Sequence, residues 1–166
     1  GEVKKAVVIG GGLIGVEACE ALQDSGIQVT VVEAVDQVLT FLDWDLAKLV
    51  ENHMKAKGAR VMTGTGVAEF EGEGGKLTGV KLADGTVIEC ALAVMAIGVR
   101  PNSELAKEAG LSIGKFGGIT VDAYMQTSDP NIYAAGDCVE IPNRITGDPA
   151  FAPMGDLANL EGRVIG

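Results

Sequence analysis

Val7-Val8-Ile9-Gly10-Gly11-Gly12-Leu13-Ile14-Gly15-Val16-Glu17 is the stretch that decides the fold. A β-branched run over residues 4–9 stops abruptly at three consecutive glycines. A helical pattern follows, with Leu13, Ile14, Val16, Ala18, Ala21 and Leu22 recurring at helical spacing and Ser25-Gly26 closing it. Ile27 to Val32 then reads as a second short strand ending at Glu33. A strand, a tight turn, a helix and a second strand with short connections form the unit that a parallel sheet requires.

Within that unit Gly10-x-Gly12-x-x-Gly15 lies between strand and helix, the context that gives such spacing meaning. The first glycine permits the tight turn, the second lets the backbone approach a pyrophosphate, and the third allows close packing of helix on strand. The helix N-terminus offers free N–H groups and a partial positive charge to an anion. Glu33 stands 18 residues after Gly15, where its carboxylate can accept hydrogen bonds from an adenosine ribose diol. A 2′-phosphate would meet a like charge there, and Ala34 and Val35 supply no arginine for it. NAD is therefore favoured over NADP, although one acidic residue biases rather than decides. Competing readings are a glycine turn serving only helix–strand packing, and an S-adenosylmethionine site, which the later hairpins do not favour. A short-chain dehydrogenase would need Tyr-x-x-x-Lys, but Tyr124 is followed four residues on by Ser128 and Tyr133 by Asp137.

Further along, residues 43–57 repeat the helical period, with Leu46, Leu49, Val50 and Met54 expected on one buried face and Gly58 after the end. Ala59 to Met62 reads as a third strand. Residues 66–72, 77–82 and 86–90 then alternate, separated by Gly74-Gly75 and by Asp84-Gly85, the latter read as a two-residue hairpin turn. These predict an antiparallel three-stranded meander laid on the parallel sheet. Leu92 to Ile97 is a continuous apolar run of the kind a central buried strand needs. Past Arg100-Pro101-Asn102 come a short helix, Glu104 to Ala109, and strands near Ile119–Val121 and Asn131–Ala134. Residues 157–165 read as the opening of a helix cut short, which suggests an excised piece of a longer protein.

Composition narrows the function. The chain has 166 residues, 24 of them glycine, with four Phe, two Tyr and one Trp, as suits a Val/Ala/Gly-rich α/β protein. Its net charge of −10 argues against nucleic acid or an anionic membrane surface as partner. His53 is the only histidine, and Cys19, Cys90 and Cys138 lie far apart. That set assembles neither a metal cluster, a disulfide framework nor a histidine-based triad. Cys19 and Cys138 read as packing residues, His53 as structural, Trp44 as marking a helix start, and Glu69, Glu71 and Glu73 as a solvated hairpin. Without a targeting or membrane-spanning pattern, the expected location is cytoplasmic.

The glycine segment also resembles the NADH-binding domain of FAD-dependent pyridine nucleotide–disulfide oxidoreductases. Ala96-Ile97-Gly98-Val99-Arg100-Pro101-Asn102 is similar to that family's sequence. Thr127-Ser128-Asp129-Pro130-Asn131-Ile132-Tyr133-Ala134-Ala135-Gly136-Asp137 resembles its late flavin motif. Gly118-Ile119-Thr120-Val121-Asp122 and Ala158-Asn159-Leu160-Glu161-Gly162-Arg163 are similar to the NADH oxidase, NADH peroxidase and coenzyme A-disulfide reductase branch. The resemblance implies a Rossmann-type, FAD/NAD(P)-binding α/β fold of three layers. Residues 1–102 would bind NAD(H), and residues 103–166 would be a return segment of an incomplete FAD domain. It implies that Gly10, Gly12, Leu13, Ile14 and Gly15 line the pyrophosphate and nicotinamide path, and that Glu33 takes the adenosine ribose. Ile97 and Gly98 would lie against the nicotinamide, and Gly136 and Asp137 would contact the flavin. Glu17 matches a family glutamate near the nicotinamide, or else is simply a carboxylate favoured near a helix N-terminus.

The family's first flavin fingerprint, its redox cysteine and its dimerisation domain have no counterpart here. The resemblance therefore implies a nucleotide-binding fragment of an enzyme that passes hydride from NADH through FAD to a disulfide, polysulfide, peroxide or oxygen. The chain alone is expected to be inactive, with no catalytic or metal-binding residue of its own and with a homodimer as one outcome of exposed edges. The rival reading is a stand-alone NAD(H)-binding or redox-sensing module.

Overall fold

The computed structural model describes residues 3–166, which form two compact units, one up to Gly98 and the other from Val99. In the first unit β1 (Lys5–Ile9), α1 (Leu13–Asp24), β2 (Gln28–Val32), α2 (Trp44–Ala56) and β3 (Arg60–Met62) alternate along the chain. They are followed by β4 (Val67–Glu73), β5 (Lys76–Leu82), β6 (Val87–Glu89) and β7 (Leu92–Met95). The parallel sheet runs in the order β3-β2-β1-β7, and the antiparallel meander in the order β4-β5-β6.

Side-chain alternation explains the layers. Val8, Val29, Val31 and Val61 pack with Cys19 and Met54, which belong to the two helices. Val7, Ile9 and Val32 point the other way and pack with Val80, Leu82 and Ile88 of the meander. Val7 and Val8 are both fully buried because successive residues of β1 serve opposite layers. Helices, sheet and meander thus form the expected three-layer α/β unit.

Both helices end alike. Gly26 and Gly58 take left-handed φ of +77° and +98°. In each case the glycine N–H and the next residue's N–H bond back to carbonyls of the last turn. This is the Schellman arrangement that glycine makes cheap.

Several expectations need correction. Leu46 and Leu49 are 48% and 66% exposed, and α2 instead buries Ala47, Glu51 and Met54. Small Ala47 permits close approach to the sheet, and Lys48 and Lys55 each meet the Glu51 carboxylate at 2.6 Å. Rather than being central, β7 is an edge strand that among the described residues pairs only with β1, and its residues are half-buried or exposed. The Asp84-Gly85 connection is a three-residue loop. Gly85 donates to the Leu82 carbonyl, Leu82 donates to that of Thr86, and Gly85 stands at φ +87°. The two-residue turn is Gly74-Gly75, both at positive φ between paired Glu73 and Lys76.

The second unit contains α3 (Glu104–Glu108), β8 (Ile119–Thr120), β9 (Val139–Pro142), β10 (Pro149–Ala150) and α4 (Gly155–Ile165). β9 pairs parallel with β8 and antiparallel with β10. Ala106, Ile119, Val121, Met125 and Val139 form its core. No strand forms over 131–134; β9 lies further on. The Thr127 N–H bonds to the Ile132 carbonyl, the Thr127 hydroxyl reaches the same carbonyl, and the Asp129 carboxylate takes the Asn131 N–H. Local side-chain bonds thereby outcompete a ladder, leaving a single bridge between Gln126 and Tyr133. No described helix is long and apolar enough to cross a membrane.

Candidate functional site

β1 has β2 on one side and β7 on the other, so its C-terminal end is where strand order reverses, and the glycine loop begins there. Gly10 stands at φ +105°, and a side chain on it would run into the Ala96 backbone. A Cβ on Gly15 would run into the Gly10 carbonyl and pass 3.5 Å from the Ala96 side chain. These two glycines are demanded by packing. Gly12 is different. As N-cap of α1 it has φ −75° and ψ −172°, an extended conformation open to any residue, and a Cβ there would meet nothing within 4 Å.

The space over Gly12 is bordered by the first turn of α1, whose earliest N–H groups have no acceptor within the helix. No side chain caps that end, and no acidic residue occupies its first turn. Leu13 and Ile14 are 51% and 54% exposed beside it. The result is a ledge of backbone donors at a positive helix end, suited to a diphosphate.

Glu33 is half-buried at the end of β2. One carboxylate oxygen accepts the Gly11 N–H at 2.6 Å and the other accepts the Val35 N–H at 3.0 Å. Each oxygen keeps a further lone pair for a ribose hydroxyl. Glu33 therefore ties the glycine loop to β2 while keeping acceptor capacity at the end of that strand. Gly11 and Leu39 were not singled out in the sequence, yet both shape the loop. The Gly11 carbonyl accepts the Leu39 N–H at 2.8 Å, and a Cβ on Gly11 would lie 2.8 Å from Val38. Leu39 is buried at φ +49°, a left-handed conformation that costs an ordinary residue about 1–2 kcal/mol. Only the run of three glycines hinted at this crowding.

Glu17 is exposed one turn beyond the helix start, outside the first turn where the dipole acts. Ile97 is 68% exposed and Gly98 has φ +99°. They follow Ala96, whose N–H donates to the Ile9 carbonyl and whose own carbonyl borders Gly10. Gly10, Gly12, Leu13, Ile14, Gly15, Glu33, Ile97 and Gly98 thus gather at one end of the parallel sheet.

Gly136 and Asp137 belong to the second unit. Gly136 has φ +86°, its N–H donates to a Glu161 oxygen at 2.7 Å, and Asp137 is exposed. Glu161 was not anticipated as part of this turn. A second buried carboxylate, Glu140, accepts the Phe116 and Gly118 N–H groups at 2.6 and 3.0 Å and anchors that loop to β9. Cys138 packs on the core with its thiol 3.5 Å from the Ala135 carbonyl. Cys19 and Cys90 are buried, and burial pushes both thiols up, with Glu20 adding to the effect at Cys19. Neither has the depressed pKa of a reactive thiol. His53 is exposed. No cluster of metal-ligating side chains occurs among the described residues.

Residues 1–153 match the family described as pyridine nucleotide-disulphide oxidoreductase. The chain is 44% identical to an NADH oxidase of Methanocaldococcus jannaschii over 164 residues, which is 98% of this chain and 36% of that protein. It superimposes with a TM-score of 0.94 on an NAD-dependent persulfide reductase from A. fulgidus, at 48% identity over 98% of this chain and 30% of the other. A TM-score of 0.91, at 30% identity, relates it to an engineered water-forming NADPH oxidase bound to NADPH. That protein is a five-substitution mutant of a Lactobacillus brevis enzyme, and the match covers 99% of this chain and 36% of the other. The chain thus spans about a third of the length of these proteins.

Proposed function

The chain belongs to the pyridine nucleotide-disulphide oxidoreductase family, and from that premise we infer that it is the NADH-binding portion, with part of the flavin site, of an FAD-dependent NADH oxidoreductase. Its cofactors are NAD(H) and FAD. The contrast among the fingerprint glycines carries this reading. Gly10 and Gly15 are fixed by packing, whereas the open position over Gly12 serves no packing purpose and matches the approach of a pyrophosphate.

In this reading the first N–H groups of α1 hold the diphosphate, Glu33 accepts the adenosine ribose hydroxyls, and Ile97 and Gly98 border the nicotinamide. Leu13 and Ile14 keep water from the path, and Glu17 stands at its margin. Gly136 and Asp137 supply one edge of the flavin site, the Asp137 carboxylate accepting from ribityl hydroxyls. Bound flavin supplies the two-electron chemistry that relays hydride from NADH to a disulfide, polysulfide, peroxide or oxygen. The chain's own residues bind and orient. Cys19 and Cys90 are buried with raised thiol pKa values, and the chain is expected to be inactive alone, in a cytoplasmic setting. The exposed apolar side chains Leu160, Val164 and Ile165 of α4 support further protein covering that helix.

The preference for NADH rests on Glu33. The engineered NADPH oxidase replaces a glycine, an acid 18 positions later, the two residues after that acid, and a residue seven beyond it. Gly15, Glu33, Ala34, Val35 and Thr40 stand at the same spacing in this chain.

Calorimetric titration of the purified chain with NADH, NADPH and FAD tests the proposal. NADH should bind, NADPH should bind at least tenfold more weakly, and FAD should bind weakly or not at all. Glu33→Ala should weaken NADH at least tenfold. That substitution also strips the Gly11 N–H of its acceptor, so affinities are compared well below each variant's melting temperature. Absence of NADH binding by a folded chain would refute the nucleotide site, and tight FAD binding would overturn the division of the chain.

A further inference from the structure

Helix α4 is inverted relative to an ordinary amphipathic helix. Its one buried residue is Glu161, 6% exposed, while Leu160 and Val164 are 58% and 52% exposed. A helix that buries a carboxylate and exposes leucine and valine is not held in place here by its apolar face. Glu161 Oε2 instead accepts the Gly136 N–H at 2.7 Å. Gly136 stands at φ +86° and its carbonyl accepts the Val139 N–H at 3.1 Å. A Cβ added at Gly136 would lie 3.6 Å from that of Ala158. Ala158 and Glu161 are three residues apart on one helix face, so the turn rests on a single turn of α4.

Energetics make this an odd way to gain stability. Removing a carboxylate from water is costly, and one charge-assisted hydrogen bond returns only part of that cost. What the bond does achieve is direction. It fixes the plane of the peptide between Ala135 and Gly136, and the next side chain along the turn is that of exposed Asp137.

We propose that Glu161 is a positioning residue of the flavin site, locking the left-handed Gly136 turn so that Asp137 faces the ribityl chain, and acting through its reach rather than its charge. This rests on the reading of Gly136 and Asp137 as flavin contacts.

The test uses the complete flavoprotein that carries these residues, isolated with FAD. Glu161→Asp keeps the charge but draws the acceptor back by one methylene, whereas Glu161→Gln keeps the reach and drops the charge. Glu161→Asp should weaken FAD binding roughly tenfold, shift the visible flavin band and speed hydrogen exchange at the Gly136 amide. Glu161→Gln should stay within about twofold of the parent in all three. A Glu161→Asp protein indistinguishable from the parent, or a Glu161→Gln protein as impaired as it, overturns the inference. Asp137→Asn separates the two layers of the argument. If it leaves FAD affinity unchanged, the flavin reading of the turn fails. If it weakens FAD while Glu161→Asp does not, only the positioning role fails.

Discussion

Alanine at Gly12 and at Gly10 should have opposite consequences, and the pair distinguishes a ligand site from a packing turn. At Gly12 the backbone is already extended and the added methyl meets no atom within 4 Å. The helix loses some capping preference, about 0.5–1 kcal/mol. It regains about 0.4–1 kcal/mol because the unfolded chain has less freedom to lose. Stability should therefore change by less than about 0.5 kcal/mol. The same methyl occupies the space over the α1 donors, and losing one or two charge-assisted hydrogen bonds at about 1.5–3 kcal/mol each should weaken NADH at least about tenfold. At Gly10 the costs fall on the fold. Left-handed φ costs about 1–2 kcal/mol and the collision with the Ala96 backbone about 1–3 kcal/mol more. The melting temperature should drop by about 5 °C or more. Thermal denaturation followed by circular dichroism, paired with NADH calorimetry, reads both quantities. A Gly12→Ala chain that binds NADH within threefold of the parent would refute the reasoning, because the open position would then serve no ligand.

Two further outcomes follow from the same geometry. Glu33→Ala combined with Ala34→Arg and Val35→Ser should weaken NADH and bring NADPH binding into measurable range, since a guanidinium replaces a carboxylate opposite the 2′-phosphate; equal NADH and NADPH affinities in the parent chain would undercut it. Burial raises the Glu51 carboxyl, but the hydrogen bonds and charges of Lys48 and Lys55 outweigh it and hold it below its ordinary value. The stability this adds is present above the unfolded pKa and lost as pH falls through the lowered folded value. Glu51→Gln should therefore cost about 1 kcal/mol in urea denaturation at pH 7, and that difference should shrink as pH falls below the ordinary glutamate range.

How much of this was legible in the sequence depended on how local the deciding physics is. The β1–α1–β2 unit could be read because every signal lies within a few residues of its effect. The glycines end β1, and Gly26 and Gly58 close α1 and α2 through bonds that span a single turn. Glu33 could be read because the length of one helix and one strand dictates where an acid at the end of β2 must fall. The face of α2 could not. Leu46, Leu49, Val50 and Met54 satisfy the helical period, but so do Ala47, Val50, Glu51 and Met54. Ala47, Glu51 and Met54 are buried, with Val50 half-buried, because close approach to the sheet favours alanine and because two lysines on the same helix satisfy the glutamate. Hydrophobicity alone selects the wrong solution. The strand expected at Asn131–Ala134 failed for a related reason. Thr127 and Asp129 offer the backbone nearby partners that no alternation pattern records. Glu161 is the extreme case. Its partner is 25 residues away, in a turn with which it shares no period. Sequence marks a carboxylate on a helix otherwise patterned for burial, and only the fold reveals which N–H it was placed to hold.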